Sequence, residues 1–283
     1  MPGKVPISFL LLTTLFGAAQ SLCFAAASAW QKDLEAGDKA CQLGHWDEAE
    51  SVYKMALNSC ENDLGKTNPA VAKCLVSLAA LYKQQKQYAQ AEALYKRALA
   101  IRDTGRKANP TDISTTLDLL AGVLRLEGKD SEAEPLYKRS ISITDKVFGV
   151  NSFAAGASLT GLASLYKDQG KYSAAEALYN RLIAKTEKKG GPDCPILTPS
   201  LNSLATIYSA QGKYAQAETL MKRAISIEER ELGPDQPHLA VLFENYADIL
   251  HRAKRAEEAT KMEARVKAIR QGQVDQLRGS RVQ

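Results

Sequence analysis

The sequence predicts an all-α fold, an α–α superhelix (a solenoid) of about six helix hairpins. Three observations predict it: a phrase that recurs every 42 residues, two apolar helical stripes in each period, and glycines and prolines at fixed places between the stripes. The phrase reads Trp46-Asp-Glu-Ala-Glu, Tyr88-Ala-Gln-Ala-Glu, Asp130-Ser-Glu-Ala-Glu, Tyr172-Ser-Ala-Ala-Glu, Tyr214-Ala-Gln-Ala-Glu and, weakened, Ala256-Glu-Glu-Ala-Thr. Its fourth position is alanine in every copy: Ala49, Ala91, Ala133, Ala175, Ala217 and Ala259. A period of this length signals a stack of similar units, each contacting its neighbours, rather than a globule built around one active site.

In chain order, residues 1–29 read as a secretory signal peptide. Lys4 supplies a positive start, an apolar run extends from Val5 to Ala19, and Ala27-Ser28-Ala29 forms a small-residue cleavage site. Cleavage is expected after Ala29, with Ala27 as the alternative. The run is short for a membrane span, which needs about 20 apolar residues. The mature chain is then expected in a periplasmic or extracellular compartment, with no transmembrane segment.

The repeats are expected at about 30–67, 68–109, 110–151, 152–193, 194–235 and 236–271. In each, a first helix carries apolar residues at i, i+3, i+4 and i+7: Leu75, Leu78, Ala79 and Tyr82, with copies down to Phe243, Tyr246, Ala247 and Leu250. A second helix repeats the pattern of Ala91, Leu94, Tyr95 and Ala98. Two helices of a hairpin approach closely only where side chains are short, so Ala79 and Ala91 and their copies mark the crossing. Turn glycines (Gly44, Gly128, Gly170, Gly212) separate the two helices of a repeat. Connector glycines and prolines (Gly65, Gly149, Gly191, Gly233; Pro69, Pro195, Pro237) separate the repeats. The ends differ from the middle: Asp33 stands where other copies have Leu or Phe, and Glu263 stands where they have Tyr or Met. Residues 272–283 are polar and basic and read as a disordered tail.

Composition narrows the function. The chain has 283 residues, 45% of them hydrophobic, and a net charge of +5. Residues 251–283 carry that excess, with nine Lys/Arg against four acids. The basic end suits an anionic ligand or a solvated final helix. No aromatic residue follows Tyr246, so base-stacking platforms are lacking and no nucleic-acid partner is expected. The mature cysteines are Cys41, Cys60, Cys74 and Cys194, none in a metal-ligand spacing. Cys60 and Cys74 fall near a helix end and one turn into the next, antiparallel helix. Two readings stay open for them: buried free thiols, or a disulfide closing a short loop and worth about 3 kcal/mol.

A helix with Leu-x-x-Leu-Ala-x-x-Tyr, a turn with Gly-Lys-Tyr and a helix with Ala-Glu-x-Leu-Tyr-Lys-Arg-Ala-Leu together resemble the tetratricopeptide repeat. The 42-residue period and Glu231-Leu-Gly-Pro-Asp-Gln-Pro237 are similar to the longer version found in kinesin light chains and many bacterial proteins. The resemblance covers residues 30 to about 270. With the leader, it points to a secreted or periplasmic bacterial member.

The resemblance implies that the first helices line a groove that holds a peptide or a partner helix. Groove positions then form three rows: Val76, Asp118, Thr160, Asn202, Glu244; Ala80, Gly122, Ser164, Thr206, Asp248; and Lys83, Arg125, Lys167, Ser209, His251. Lys83, Arg125 and Lys167 would suit an acidic partner; equally, they are cations at helix ends that favour the dipole. A subset of the family clamps a C-terminal carboxylate with Lys and Asn in the first two rows. Here those rows have no Lys, and Asn202 is their only Asn, so that clamp is not expected.

Catalytic patterns are missing. His45, His238 and His251 are scattered, with no HExxH, phosphate loop or GxSxG. Ser51-Val-Tyr-Lys54 matches SxxK, but the same slot holds Ala93, Pro135 and Ala177, so Ser51 is a structural variant. The recurring Glu50, Glu92, Glu134, Glu176 and Glu218 read as helix-start acids that complement the dipole and bond within a repeat.

The expectation is a non-catalytic protein-interaction scaffold with no cofactor and no metal. The alternative is a module that binds a polysaccharide, membrane surface or nucleic acid through the basic C-terminal segment. The packing register carries a direct test. Ala163→Leu overfills a helix crossing and is expected to lower stability by about 1–3 kcal/mol in chemical denaturation; an unchanged midpoint would show the register to be wrong.

Overall fold

The computed structural model describes residues 29–104, 109–150, 153–234 and 236–279. The leader, up to residue 28, lies outside the described residues. All regular structure among them is helical. Helix α1 is described over 29–42. It is followed by α2 (Trp46–Leu64), α3 (Pro69–Gln84), α4 (Tyr88–Thr104), α5 (Pro110–Leu126), α6 (Asp130–Phe148), α7 (Gly156–Asp168), α8 (Tyr172–Gly190), α9 (Thr198–Ala210), α10 (Tyr214–Leu232), α11 (Pro237–Arg252) and α12 (Ala256–Gly279). Short 3-10 turns, Phe153–Ala155 and Pro195–Leu197, lead into α7 and α9. The chain forms two compact units, Met1–Ser140 and Ile141–Gln283. Each is a stack of antiparallel helix hairpins, the arrangement of an all-α solenoid.

Local signals set the helix limits. Asn68 and Asn109 accept hydrogen bonds from the amides of Ala70 and Thr111 and cap α3 and α5, each followed by proline at the first helical position. Hairpin turns pass through a left-handed residue, glycine at Gly128 (φ 75°) but lysine at Lys86 (φ 60°) and Lys254 (φ 63°). The turn geometry thus persists where the sequence lacks glycine, at a cost of about 1–2 kcal/mol. Helix α12 runs to Gly279, past the expected start of a disordered tail at residue 272. A single glycine such as Gly272 costs a helix only about 1 kcal/mol and does not stop it.

The crossings sit at the expected alanines. Ala79 and Ala91, Ala121 and Ala133, Ala163 and Ala175, and Ala205 and Ala217 are fully buried. In the first hairpin Gly37 takes the slot of Ala79. A β-carbon there would lie 2.4 Å from the Tyr53 ring, so the smallest residue is required. Cys60 and Cys74 are fully buried across α2 and α3, hydrogen-bonded to one another as free thiols. Burial pushes both thiols up, Cys74 to about 12, far from the reactive thiolate form.

Two polar ladders join successive repeats. In the first, an arginine of each of four second helices bonds an acid 36 residues earlier, near the end of the preceding second helix. The pairs are Arg97–Glu61 (2.5 Å), Arg139–Asp103 (2.7 Å), Arg181–Asp145 (2.5 Å) and Arg223–Glu187 (2.7 Å). In the second, the glutamate of the repeated phrase accepts from the next repeat. Tyr82 donates to Glu50 (3.0 Å), Lys129 to Glu92 (2.6 Å), Tyr208 to Glu176 (3.0 Å), and Tyr246 (2.9 Å) and Arg255 (2.5 Å) to Glu218. These glutamates therefore bond between repeats as well as within them, where Lys54, Lys96, Lys138 and Lys222 lie one turn on. Hydrogen bonds from Lys129 and Lys96 hold the Glu92 carboxyl at about 2. Burial raises that of Glu218, but Arg255, Lys222 and Tyr246 outweigh it and bring it to about 2 as well.

One charge sits against the grain of the core. Lys185 on α8 occupies the slot that holds Ile101, Ile143 and Ile227 elsewhere. It is 6% exposed, its Nζ has no hydrogen-bond partner, and Asp145 lies 3.6 Å away, already bonded by Arg181. Burial lowers its pKa from 10.5. The folded state therefore disfavours its charged form, a penalty that is full below the folded pKa and vanishes as pH rises to the unfolded value. Lys185→Ile is expected to raise the unfolding free energy by about 1–3 kcal/mol at neutral pH. In denaturant titrations across pH that gain should shrink near pH 10.5; a loss of stability at neutral pH would show that the Asp145 pair is net favourable.

Candidate functional site

The rows expected to line a groove are largely engaged within their own unit. Among the third-row residues, Lys83 and Lys167 are half-buried at the ends of α3 and α7. Arg125 hydrogen-bonds the buried Tyr137 phenol on the facing helix of its hairpin. The same position in other hairpins behaves alike: Cys41 donates to Tyr53 (3.6 Å), and His251 pairs with Glu263 (2.8 Å). At Cys41, Arg125 and His251 this row turns toward its own second helix, whereas the Tyr95 hydroxyl opposite Lys83 has no hydrogen-bond partner and the slot opposite Ser209 holds Met221. Glu263, which stands in the tyrosine slot of the last repeat, is the partner of His251.

The other candidates lie as follows. Thr160 is exposed and its hydroxyl bonds back to the Gly156 carbonyl (2.9 Å), as Thr206 does to Ser203 (2.7 Å). Ser164 is half-buried on α7. Glu244 pairs with Arg270 (2.5 Å) and Asp248 with Arg252 (2.8 Å). Asn202 accepts from Asn245 (2.9 Å), which ties α9 to α11.

Of these candidates, Asn202 borders an open space. A cleft of about 480 Å³ lies between the starts of α9 and α11, with the end of α10 as its floor. Its apolar surface comes from Pro195, Pro199, Leu232, Val241 and Leu242; its polar groups come from Thr198, Asn202, Glu228, Glu231 and His238. Val241 and Leu232 are about half exposed, at 52% and 48%. Glu228 is buried, at 8% exposure, with His238 Nδ1 3.6 Å from its carboxylate. Thr198 is equally buried, and its hydroxyl has no hydrogen-bond partner. The reading of three rows missed Thr198, Glu228, Glu231 and Val241. The cleft is made where three helices end or begin, and only α9 and α11 contribute to the rows. A signal was present: the sequence puts apolar Val241 one turn beyond Pro237, on the outer side of the Leu-Phe stripe.

Among the described residues, no three His, Cys, Asp or Glu side chains cluster as metal ligands. No described helix is long and apolar enough to cross a membrane.

A family model described as tetratricopeptide repeat matches residues 18–104, 112–188 and 196–272, most of the chain. No curated protein matches it. Similar solved structures include BtubC (BKLC) from P. vanneervenii, 20% identical over 88% of this chain and 92% of that one, with a TM-score of 0.66. A putative kinesin light chain from Podosopora anserina is 24% identical over 72% and 96%, TM-score 0.63. A tetratricopeptide repeat protein from Parabacteroides merdae is 18% identical over 85% and 80%, TM-score 0.62. At these identities the likeness concerns the fold. The family match and the helix hairpins agree: the chain belongs to the tetratricopeptide repeat family, whose arrays serve in general as non-catalytic scaffolds for protein interaction.

Proposed function

We propose that this chain is an exported scaffold that holds a peptide or partner protein on the face formed by its first helices. The observation that carries the reading is the cleft between α9 and α11, an open space of about 480 Å³ with half-exposed apolar side chains at its rim. Such a space, preformed by rigid helices, binds a chain with little ordering cost of its own. Thr160, Ser164, Asn202, Thr206, Glu244 and Asp248 extend that face within the second unit. Of the third row, Arg125 is taken up by Tyr137 of its own hairpin, which leaves Lys83 in the first unit and Lys167 in the second as candidates at the edge of that face.

The test uses the 30–283 chain as bait for a displayed library of random peptides. Enriched peptides are expected to lose at least about tenfold in affinity to Val241→Asp, which puts a charge at the apolar rim. Peptides that bind this variant as tightly as the parent would remove the cleft from the interaction.

Export rests on the leader: Lys4, the run from Val5 to Ala19 and the Ala27-Ser28-Ala29 exit. Expressed from its full gene, the protein should appear in the envelope or culture fraction with Trp30 as its first residue by N-terminal sequencing. Recovery from the cytoplasm with residues 1–29 intact would overturn this.

A further inference from the structure

Successive repeats meet at a buried pair of positions that recurs with the period. The first member lies near the end of a second helix and the other 14 residues on, in the next first helix, as the Arg102–Thr116 hydrogen bond shows. The pairs are Cys60 with Cys74, Arg102 with Thr116, Thr144 with Ser158, and Thr186 with Ser200. All of these are polar or thiol pairs. Cys60 bonds Cys74, and Arg102 bonds both Thr116 and the Asp112 carbonyl (2.7 Å).

The last pair breaks the rule: Glu228 faces the slot of Leu242. A leucine neither donates a hydrogen bond nor neutralises a carboxylate. Glu228 is thus an 8% exposed acid whose ion partner is His238, at 3.6 Å, itself 80% exposed. A buried carboxylate needs a cation or several donors to hold its charge. Glu231 adds a second acid to the same cleft, and the lining contains no Lys or Arg. Thr198, 7% exposed, lines the same space, and its buried hydroxyl has no hydrogen-bond partner. Two buried polar residues on one open cleft, an acid whose ion partner is an exposed histidine and a threonine whose hydroxyl has no hydrogen-bond partner, point to a site for something from outside the chain.

We propose that the cleft recognises an extended segment of a partner protein in which a lysine or arginine adjoins a large aliphatic or aromatic residue. This rests on the scaffold reading above and gives it a sequence preference. The cation meets Glu228 and Glu231, the apolar neighbour covers Val241 and Leu242, and the Thr198 hydroxyl bonds a main-chain amide or carbonyl of the segment. Charge complementarity decides the partner's chemistry: an acidic segment would bring like charge against a buried carboxylate, which disfavours it strongly.

The experiment measures fluorescence anisotropy of the 30–283 chain with labelled Gly/Ser peptides, identical except for a central Leu-Arg, Leu-Glu or Ser-Arg pair. Leu-Arg should bind at least about tenfold more tightly than either of the others. Glu228→Gln and the exposed Glu231→Gln should each weaken Leu-Arg binding several-fold, and Thr198→Val should weaken it too. Met55→Ala, in the first unit, should not. Circular dichroism and thermal midpoints report whether Glu228→Gln still folds; if it does not, Glu231→Gln carries the test. Equal binding of Leu-Glu and Leu-Arg, both lost in Val241→Asp, overturns the basic preference but leaves peptide holding intact. Leu-Arg binding untouched by the glutamate variants overturns the proposal. So does failure of Leu-Arg to bind at up to about 1 mM, in which case library selection alone judges the wider reading. Self-association of the chain that Val241→Asp abolishes would also overturn it, by giving the cleft to a second copy.

Discussion

The closeness of the two helices in each hairpin governs the rest of the structure. At Ala79 and Ala91, and at the copies in the three hairpins that follow, the side chains at the crossing are fully buried methyl groups. Such a crossing fixes the tilt of one helix on the other, because any larger residue must push the pair apart. Once the tilt is fixed and repeated every 42 residues, equivalent atoms of neighbouring hairpins fall at equivalent separations. The tyrosine slot on the second helix depends on the same small residues. In the first hairpin Tyr53 sits where a β-carbon on residue 37 would stand, and Gly37 makes room for it.

That constancy of spacing is what permits polar ladders. An arginine can find an acid 36 residues back in four successive places only if each step of the stack repeats the last. The pairs are partly exposed, so each contributes only a few tenths to about 1 kcal/mol. Their larger effect is on register, since a one-turn slip between repeats would separate every pair at once. The slots at either end follow suit: Met55 stands in the arginine slot of the first hairpin and Gln271 in the acid slot of the last. Arg265, the last arginine, turns instead to the Pro234 carbonyl (3.2 Å) and the face of Phe243.

The fold was legible in the sequence because its determinants are periodic and local. Alanine spacing, apolar stripes and turn residues can each be read without knowing what lies across the stack. The ladders were equally periodic, with Arg97, Arg139, Arg181 and Arg223 in register. Their meaning depends on which face of a helix meets the next repeat, which spacing alone does not tell. The turns at Lys86 and Lys254 show the limit from the other side: the geometry survived the loss of the residue that signals it. The site was less legible. The three rows come from a single helix type, whereas the cleft joins the starts of two first helices to the end of a second. Asn202 alone of the row positions reaches it. Arg125, which looks like a free cation in sequence, has a phenol for a partner that no spacing rule announces.

What distinguishes the cleft is a mismatch in an otherwise matched series. At the second junction the protein supplies its own guanidinium: Arg102, whose pKa burial lowers, bonds a hydroxyl and a carbonyl of the next repeat. At the fourth, Thr186 answers its own helix through the Leu182 carbonyl (2.9 Å) and needs nothing more. At the fifth, the same slot holds an acid, the answering slot holds leucine, and the space in front is open rather than filled. Burying an acid without a matched partner lowers stability, and a Thr or Ser would have avoided the cost, as the two preceding junctions show. In the proposed reading, the acid at this junction, beside an unbonded threonine, stands where a ligand would complete the pattern. The repeats explain how the hairpins pack; the place where their pairing rule fails is where, on that reading, an outside chain would have something to add.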